Sequence, residues 1–569
     1  MPLNVELTLE RDKLFDKEKT LWNNTYQLVS DYVTQDGASF VGVKAPGQLL
    51  NEDVFDSTAN RAWTILSSAL VGILWPNGAQ SVELKIVHEK LKGDAEAMEY
   101  FSKARNNLVS LMDDARSGLS LHNQTYMNSS IGYGTAGILA TRGQTSFFKF
   151  MVVDVKTISV AENNEGFIDT VYMKYKRTVR QLEQEFGDKN LSEKTRELIK
   201  NKKFDEEIEC LYVIEPRREI DQKKKDNLNM PFVSAYLEVA NKHLIKESGF
   251  EEFPGGVSRF DKNTQEKYGR CPGIKSIPDV LEINTVRESR TVAREKQLDP
   301  PLIVYDDGRM GGGIINTSAG AINVVNVAGR STNSQNDSVK PLITVGDLRV
   351  ATEEIEELKQ VITGHYGIDR LLDLNNETEM TLGEAQLRDQ KNSLATGGSL
   401  VRQIIEMYTP LIERCFNMAF REGKLGVIEG SPQHQLALLM GDDPLLIPAS
   451  VVKLMGSDDK VFEIVYNTPA ARLLKAQEAA SILQTWASAQ QLAQTNPEVL
   501  DNLDVDKTIR KIGSINGSED IFRSMKTKAG APGIEQIREE RAKNIQMQQQ
   551  QAQADIAATQ AQAAQPQQK

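Results

Sequence analysis

The sequence predicts an α+β, helix-rich fold, and three observations lead there. Apolar residues recur at three- and four-residue steps through long stretches, for example at Leu108, Leu111 and Met112. The runs FFKFMVVDVKTISVAE and FIDTVYMKYKR are rich in β-branched and aromatic residues. Asn163-Asn164-Glu165-Gly166 separates them, a strand-turn-strand signal. Helices wrapped around antiparallel strands make an α+β arrangement. With 569 residues, 40% hydrophobic and 26% charged, the chain is long enough for several domains and most of it should fold.

Taken in order, residues 5–35 should be helical, with charged positions mixed among Leu14, Phe15, Leu21, Trp22, Tyr26 and Val29. After a loop with Gly37, Pro46 and Gly47 comes the most apolar run, Ala62 to Trp75, within 57–75. Asn60 and Arg61 lead into it and Pro76-Asn77-Gly78 break it. A bilayer takes about 20 residues, so this shorter run predicts a buried core helix rather than a membrane-active one. Residues 94–128 read as a second long helical region. Strands begin after Gly132-Tyr133-Gly134. A short helix (TVRQLEQEFG) and a charged helical stretch near 192–201 follow, and strands return at EIECLYVIEPRRE and PFVSAYLEVANKHLIKESGF.

PDVLEINTVRESRTVAREKQLDPP, residues 278–301, is a helix with hard stops. Proline is tolerated in a first turn and Asp279 suits the positive end of the helix dipole. Asp299-Pro300-Pro301 ends it, since proline removes donors and forces its predecessor out of the helical region. At ~1.5 Å per residue it makes a rod of ~30 Å. It has no broad apolar face: Arg287, Glu288, Arg290, Arg294, Glu295 and Lys296 interrupt Val280, Leu281, Ile283, Val286, Val292 and Ala293. Residues 302–345, rich in Gly, Asn and Ser with short apolar runs, read as a small β module with long turns. A second helix at 345–364 has a narrow stripe, Leu348, Ala351, Ile355, Leu358 and Ile362, and a face carrying Glu353, Glu354, Glu356 and Glu357. Two helices of similar length therefore bracket a β insert, a hairpin-like stalk with a β tip. Either they pack on one another in a monomer, or many copies stand side by side in a wall.

YGIDRLLDLNNETEMT, residues 366–381, reads as a polar loop. A long helical segment from Thr381 to Glu422 should be kinked or broken by Gly397-Gly398 and Pro410. Residues 425–467 are mixed, with a strand at VFEIVYN, and from Pro469 the chain is helical. From about 545 it becomes a Gln/Ala tail with too little apolar variety for its own core.

Several kinds of chemistry find no home. Net charge is −12, against a general nucleic-acid binder, though not against a protein that DNA must pass without sticking. Cys210, Cys271 and Cys415 are far apart and form no CxxC, so neither a disulfide framework nor a thiolate metal site is expected, and the compartment reads as reducing. The N-terminal MPLNVELTLERDKLF lacks the apolar core of a secretory signal. Gly311-Gly312-Gly313 has no Lys-Ser or Lys-Thr after it and reads as a glycine turn, not a phosphate cradle. His88, His122, His243, His365 and His434 lie in five segments without metal spacing, and there is no GxSxG. The acidic pairs Asp113-Asp114 and Glu353-Glu354 and the triplet Lys223-Lys224-Lys225 read as solvated surface. No cofactor, metal or catalytic residue is expected.

Three stretches together resemble the portal, or head-to-tail connector, proteins of short-tailed bacteriophages. LVGILWPNG before SVELKI is similar to that family's early leucine-rich helix followed by proline. YGRCPG (Tyr268, Gly269, Arg270, Pro272) resembles a Tyr-Gly-Arg-Gly-Pro element; Cys271 replaces a glycine, which predicts a less tight turn. ETEMTLGEAQLRDQK resembles a Met-Thr-Ala-Thr-Glu-Val segment ending in Arg: Thr381, Glu384 and Arg388 fit, while Leu382 and Gly383 depart. The likeness runs over roughly 10–545.

The resemblance implies a ring-forming homo-oligomer, commonly of twelve subunits, at one capsid vertex. It implies a wing at 1–274 continuing at 381–467, stem helices at 275–298 and 346–366, and a clip at 299–345. A tunnel loop follows at 367–380 with Asn375, Asn376, Glu377, Thr378 and Glu379, then a crown at 468–545 and the tail at 546–569. The implied partners are the major capsid protein, the large terminase subunit, a tail adaptor or tail tube protein, and double-stranded DNA passing without sequence specificity. Internal core or ejection proteins are further partners, and no membrane is. The location implied is the virion, after assembly in the host cytoplasm. Glu353, Glu354, Glu356, Glu357, Glu377 and Glu379 would repel the DNA backbone. Arg287, Arg290 and Arg294 are either weak rungs for phosphates or, as preferred here, partners of a neighbouring stem's glutamates. The other readings are a different virion structural protein, such as a tail adaptor, and an enzyme such as a nuclease, which no motif supports.

Overall fold

The computed structural model describes residues 3–42, 47, 53–75, 82–88, 91, 94–220, 224, 226–306, 315–326, 339–342, 346, 348–368, 400–440, 444–455, 462–466, 481–491, 505–515, 537–548 and 551. The chain forms two compact units, Met1–Asn77 with Leu111–Asn417, and Gly78–Ser110 with Met418–Lys569.

In the first unit, Asn4 caps α1 (Val5–Thr20), its Oδ1 accepting the N–H groups of Glu6 (3.1 Å) and Leu7 (3.2 Å). The single helix expected over 5–35 comes in pieces: α2 (Asn23–Leu28) runs into a π-helical turn at Val29–Thr34, which ends at Gln35 with φ +52°. α3 (Thr58–Leu74) is the apolar run. It is buried along one face, through Ala59, Ala62, Leu66, Leu70 and Leu74, and packs against α5, to which Trp63 Nε1 donates at Asn128 O (2.9 Å).

The second long helix also divides. β1 (Val82–Ile86) precedes α4 (Ala95–Met112), and α5 (Leu119–Tyr133) starts afresh. Between them Asp114 builds a turn, accepting from Arg116 N–H at Oδ1 (2.9 Å) and from Ser117 N–H at its carbonyl (2.8 Å). Gly118 then takes φ +68°, which a side-chain-bearing residue would resist. Helical periodicity survives such a turn, so it hid the break.

FFKFMVVDVKTISVAE is not one strand but two, in different sheets. β2 (Thr135–Arg142), β3 (Phe148–Asp154) and the later β9 (Gly255–Arg259) form one antiparallel sheet in the order β3-β2-β9. β4 (Ile158–Glu162) follows a turn held by Asp154 Oδ1 on Lys156 N–H (3.0 Å) and opens a five-stranded antiparallel sheet. β5 (Ile168–Thr178), β6 (Glu207–Pro216), β7 (Phe232–Glu238) and β8 (His243–Phe250) complete it in sequence order. The predicted Asn163–Gly166 turn joins β4 to β5, with Gly166 at φ +84°. Alternation along β6 sorts its faces. Leu211 and Val213 join Leu9 of α1, Tyr172, Val233, Ala235 and Leu237 in one cluster. Ile208 and Cys210 meet Val179 and Leu182 of α6 (Val179–Phe186) and Leu191, which leads into α7 (Glu193–Lys200), in another. Both helices begin where the sequence says they should, α6 on a Thr178 capping box and α7 on Ser192.

The chain then enters α8 (Pro272–Lys275) and α9 (Ile277–Leu298), passes through β10 (Leu302–Asp306), β11 (Ile322–Asn326) and β12 (Val339–Pro341), and returns on α10 (Arg349–His365). Residues 400–403 are helical, Ile404–Tyr408 is a π turn, and α11 is Thr409–Arg421. The expected disturbance at Pro410 is this π turn, since the ring nitrogen has no N–H to give the helix ladder. Gly397-Gly398 lies outside the described residues.

In the second unit β1 pairs antiparallel with β13 (Phe462–Tyr466), Val82 opposite Tyr466. α12 (Pro432–Leu439) and α13 (Ala449–Met455) precede β13. Helical residues at 481–491, Val505–Ile515 and 537–548 follow. The tail beyond 551 lies outside the described residues.

Candidate functional site

The polar helix α9 leans on its own chain for its first half. Ile277, Val280, Ile283 and Asn284 are buried. Asn284 Oδ1 accepts the N–H groups of Phe55 (2.8 Å) and Asp56 (3.1 Å), while its Nδ2 donates to Val280 O (2.6 Å). Arg287 Nε sits 2.8 Å from Asp56 Oδ2 with its N–H not aimed along that line, and its Nη1 donates to Phe55 O (3.4 Å). From Thr285 to Leu298 no residue is buried. Arg290 is half-buried and Arg294 exposed, and neither makes an ion pair among the described residues.

α10 runs antiparallel to α9. At its last turn His365 Nε2 lies 2.7 Å from Asp279 Oδ2, in the first turn of α9, and Tyr366 OH lies 3.2 Å from Ser276 Oγ. The stripe read from the sequence faces inward: Ile355 and Ile362 are buried, and Leu348, Ala351 and Leu358 are half-buried. α10 packs against both α9 and α3. Glu353, Glu354, Glu356 and Glu357 are all exposed, and Glu356 pairs with Lys359 one turn on.

The β tip is a three-stranded sheet in the order β11-β10-β12, with β10 parallel to β11 and antiparallel to β12. The loop before β11 folds back on the end of α9: Gly320, at φ +70°, donates its N–H to Asp299 O (2.9 Å), and a Cβ there would run into the Asp299 carboxylate. Buried Asn323 holds the same loop, donating to Asn316 O (2.8 Å).

YGRCPG packs on the C-terminal end of α5. Tyr268 is buried, Gly269 N–H donates to Thr135 Oγ1 (2.8 Å), and Arg270 pairs with Glu266 (2.6 Å) over the Trp22 ring. A Cβ on Gly269 would meet Gly134 O, and one on Gly273 would come within 2.6 Å of Gly132 O, so the two backbones cross at glycines. Cys271 is extended (φ −150°, ψ 169°), a conformation any residue adopts, and its thiol donates to Gly132 O (3.1 Å); Pro272 then opens α8. Asn375, Asn376, Glu377, Thr378, Glu379, Thr381, Glu384 and Arg388 lie outside the described residues.

One constellation escaped the sequence. Arg259, fully buried at the end of edge strand β9, is gripped by Glu406 of the π turn. Its Nη2 donates to Glu406 Oε1 (3.0 Å), and its Nε (3.2 Å) and backbone N–H (3.0 Å) donate to Oε2. Glu162 takes Nη1, and Gly166 O accepts from Nη2 (2.6 Å). Gln403 Oε1 accepts from Ser258 Oγ (2.8 Å) and from Tyr126 OH. A Cβ on Gly256 would run into Met407 O, so glycine lets the turn lie on the strand. The available signal was Gly255-Gly256, two glycines where a backbone must come close. Its partner, 147 residues away, carried none.

Among the described residues no group of three or more His, Cys, Asp and Glu side chains could hold a metal, and no helix is long and apolar enough to cross a membrane. The three cysteines are free and buried. A groove of about 220 Å³ beside α1 contains Arg11 and Arg217, but these pair with Glu215 and Glu247.

The first unit is a mixed α+β body that carries an antiparallel helical pair with exposed glutamates and a β tip. The chain belongs to the bacteriophage head to tail connecting protein family, whose model matches residues 8–521. It is 24% identical to the portal protein of Salmonella phage epsilon15, over 95% of this chain and 92% of that one. It is 22% identical to the probable portal protein of Bordetella phage BPP-1, over 88% of this chain and 85% of that one. A chain from the virion of a native gene transfer agent particle aligns at 12% identity with a TM-score of 0.30, covering 74% of this chain and 97% of that one, too slight a likeness to say more.

Proposed function

We propose that this chain is the portal vertex protein of a short-tailed phage, forming the channel through which DNA is packaged and ejected. The observation that carries the reading is the α9–α10 pair, antiparallel and seamed on one side, with four exposed glutamates on the other, within a chain that matches the connector family nearly end to end. Twelve copies close a ring, since one repeated heterologous contact closes when its rotation fits. α9 and α10 are its stem and the sheet β10–β12 its clip. The wing is 1–274 with 381–467, the tunnel loop 367–380 and the crown 468–545. The clip docks the large terminase subunit during packaging and the tail adaptor or tail tube later. The major capsid protein surrounds the ring, and internal core or ejection proteins contact its inner end. Assembly takes place in the host cytoplasm and the ring stays in the virion.

Duplex DNA carries one charge per ~1.7 Å of axis, so every cation facing it adds affinity. A conduit needs the reverse, and an acidic face at Glu353, Glu354, Glu356 and Glu357 repels the backbone. Arg287 is engaged with Asp56 in the same subunit, which leaves Arg290 and Arg294 for phosphates or a neighbour's glutamates.

Native mass spectrometry with negative-stain imaging tests the proposal. A closed ring near twelve copies with a central hole supports it. A stable monomer or dimer at high concentration overturns it in favour of another virion structural role. Glu353→Lys with Glu357→Lys should weaken ring assembly or slow DNA passage; wild-type levels of both would make these residues merely solvated.

A further inference from the structure

α9 changes character at its middle. Up to Asn284 it is fixed: Ile277, Val280, Ile283 and Asn284 are buried, and Asp279 is held 2.7 Å from His365 of α10. From Thr285 onward Val286, Arg287, Arg290, Ala293 and Lys296 are half-buried and the other residues exposed, Leu298 by 76%.

The boundary coincides with side chains that compete with the helix ladder. Asn284 Nδ2 donates to Val280 O (2.6 Å) and Thr285 Oγ1 to Leu281 O (3.0 Å), both one turn back. Thr291 Oγ1 does the same to Arg287 O (2.9 Å). A side chain that shares a carbonyl with the ladder weakens that turn and bends helices. Asparagine is also a poor residue for a helix interior. Here it is buried because its Oδ1 receives the N–H groups of Phe55 (2.8 Å) and Asp56 (3.1 Å), from a non-helical segment that leads into α3. Arg287 closes over the same segment, with Nε 2.8 Å from Asp56 Oδ2 and Nη1 donating to Phe55 O. The buried Asp56 carboxylate in turn accepts Thr58 N–H (2.7 Å), which joins the segment to the start of α3. The weakened turn of α9 is therefore the turn that the segment grips.

We propose that residues 53–56 are a strap that sets the direction of the far half of α9, and that the helix pivots at Asn284–Arg287 when the strap lets go. Asp56, Asn284 and Arg287 are positioning residues, acting through the helix on the β10–β12 sheet that follows it. The inference stands on one subunit and does not need the ring. The far half is a rod of ~20 Å at ~1.5 Å per residue. A kink of about 20° at the pivot carries its tip by about 7 Å.

Spin-label distances on the full-length chain test it. The native cysteines are buried, so labels go to introduced ones. Gln297→Cys reports the far half and Glu282→Cys the near half, each measured against Lys13→Cys and Lys189→Cys on the body; all four positions are exposed. Mixing with excess unlabelled chain leaves only distances within one chain. Asp56→Asn keeps an oxygen for Thr58 but removes the charge facing Arg287. It should shift at least one of the Gln297 distances by about 7 Å and leave those of Glu282 as in the wild type. Arg287→Gln, at a half-exposed position, should do the same without touching the buried side of the strap. Adding Thr285→Ala, which restores an uncontested ladder at an exposed position, should shrink the shift. Gln297 distances unchanged in both strap variants would overturn the proposal. So would an equal shift at Glu282, which means that the whole helix has come loose, or a shift that Thr285→Ala leaves untouched, which places the bend elsewhere.

Discussion

Replacing Glu406 with Gln should loosen the attachment of residues 400–408 to β9. The change keeps the volume but turns one oxygen acceptor into an NH₂ that faces the N–H groups of Arg259. That guanidinium is fully buried, and Glu406 takes two of its side-chain donors and its backbone N–H. Breaking a buried pair from one side costs about 3–5 kcal/mol, mostly for the charge left behind. Glu162 and Gly166 O still serve Arg259, and Arg402, the other partner of Glu406, has a side chain 36% exposed and can return to water. The lower end, about 3 kcal/mol, is therefore expected. The assay is native-state hydrogen exchange, because a chain of two compact units is unsuited to a single unfolding free energy. Amides of β9 and of 400–408 should exchange on the order of 100-fold faster. Arg259→Met combined with Glu406→Leu should cost less than the Gln variant, since removing both charges leaves neither stranded. An effect below about threefold, or a double variant worse than the single, would refute the reasoning.

Gly256→Ala should act at the same junction: its methyl runs into Met407 O, so strand and turn must separate, at about 1–3 kcal/mol, read as lost protection in 404–408. Glu238 gives a pH prediction. Burial pushes its carboxyl up, but the Ser192 hydroxyl (2.6 Å) and N–H (3.0 Å), Asn241 (2.7 Å) and Thr195 (2.8 Å) all donate to it, and the net shift is downward. A folded value below the unfolded one means the stabilisation is complete above the ordinary glutamate pKa of about 4.3 and is lost as pH falls through the folded value. Glu238→Gln should flatten the acid-side slope of α7 protection; an unchanged slope would count against it. Burial raises the thiols of Cys210 and Cys271 to about 12 and also raises that of Cys415, so a thiol reagent at pH 8 should label none until the chain unfolds.

Much of the fold was readable because its signals are local. Pro278 and the Asp299-Pro-Pro stop bound α9 within a residue, the Leu348–Ile362 stripe predicts the inner face of α10, and Thr178 and Ser192 announce α6 and α7. The YGRCPG element was visible too, although its reason, a glycine crossing with α5, was not. What misled was periodicity carried across a turn, at Asp113–Gly118, and β-propensity carried across a change of sheet, at Asp154. Neither pattern records which neighbour a face will meet.

By itself the sequence determined the α+β class, the helical pair with its β tip, its charged and apolar sides, and the family likeness. Each rests on caps, prolines or spacings that act within a few residues. Only the tertiary structure decided that β1 would find β13, that α9 would spend its first half against Asp56, and that Arg259 would be buried under Glu406. Those are meetings of groups far apart in the chain. Their energy comes from packing and desolvation after the chain has folded, so no short stretch of residues contains them.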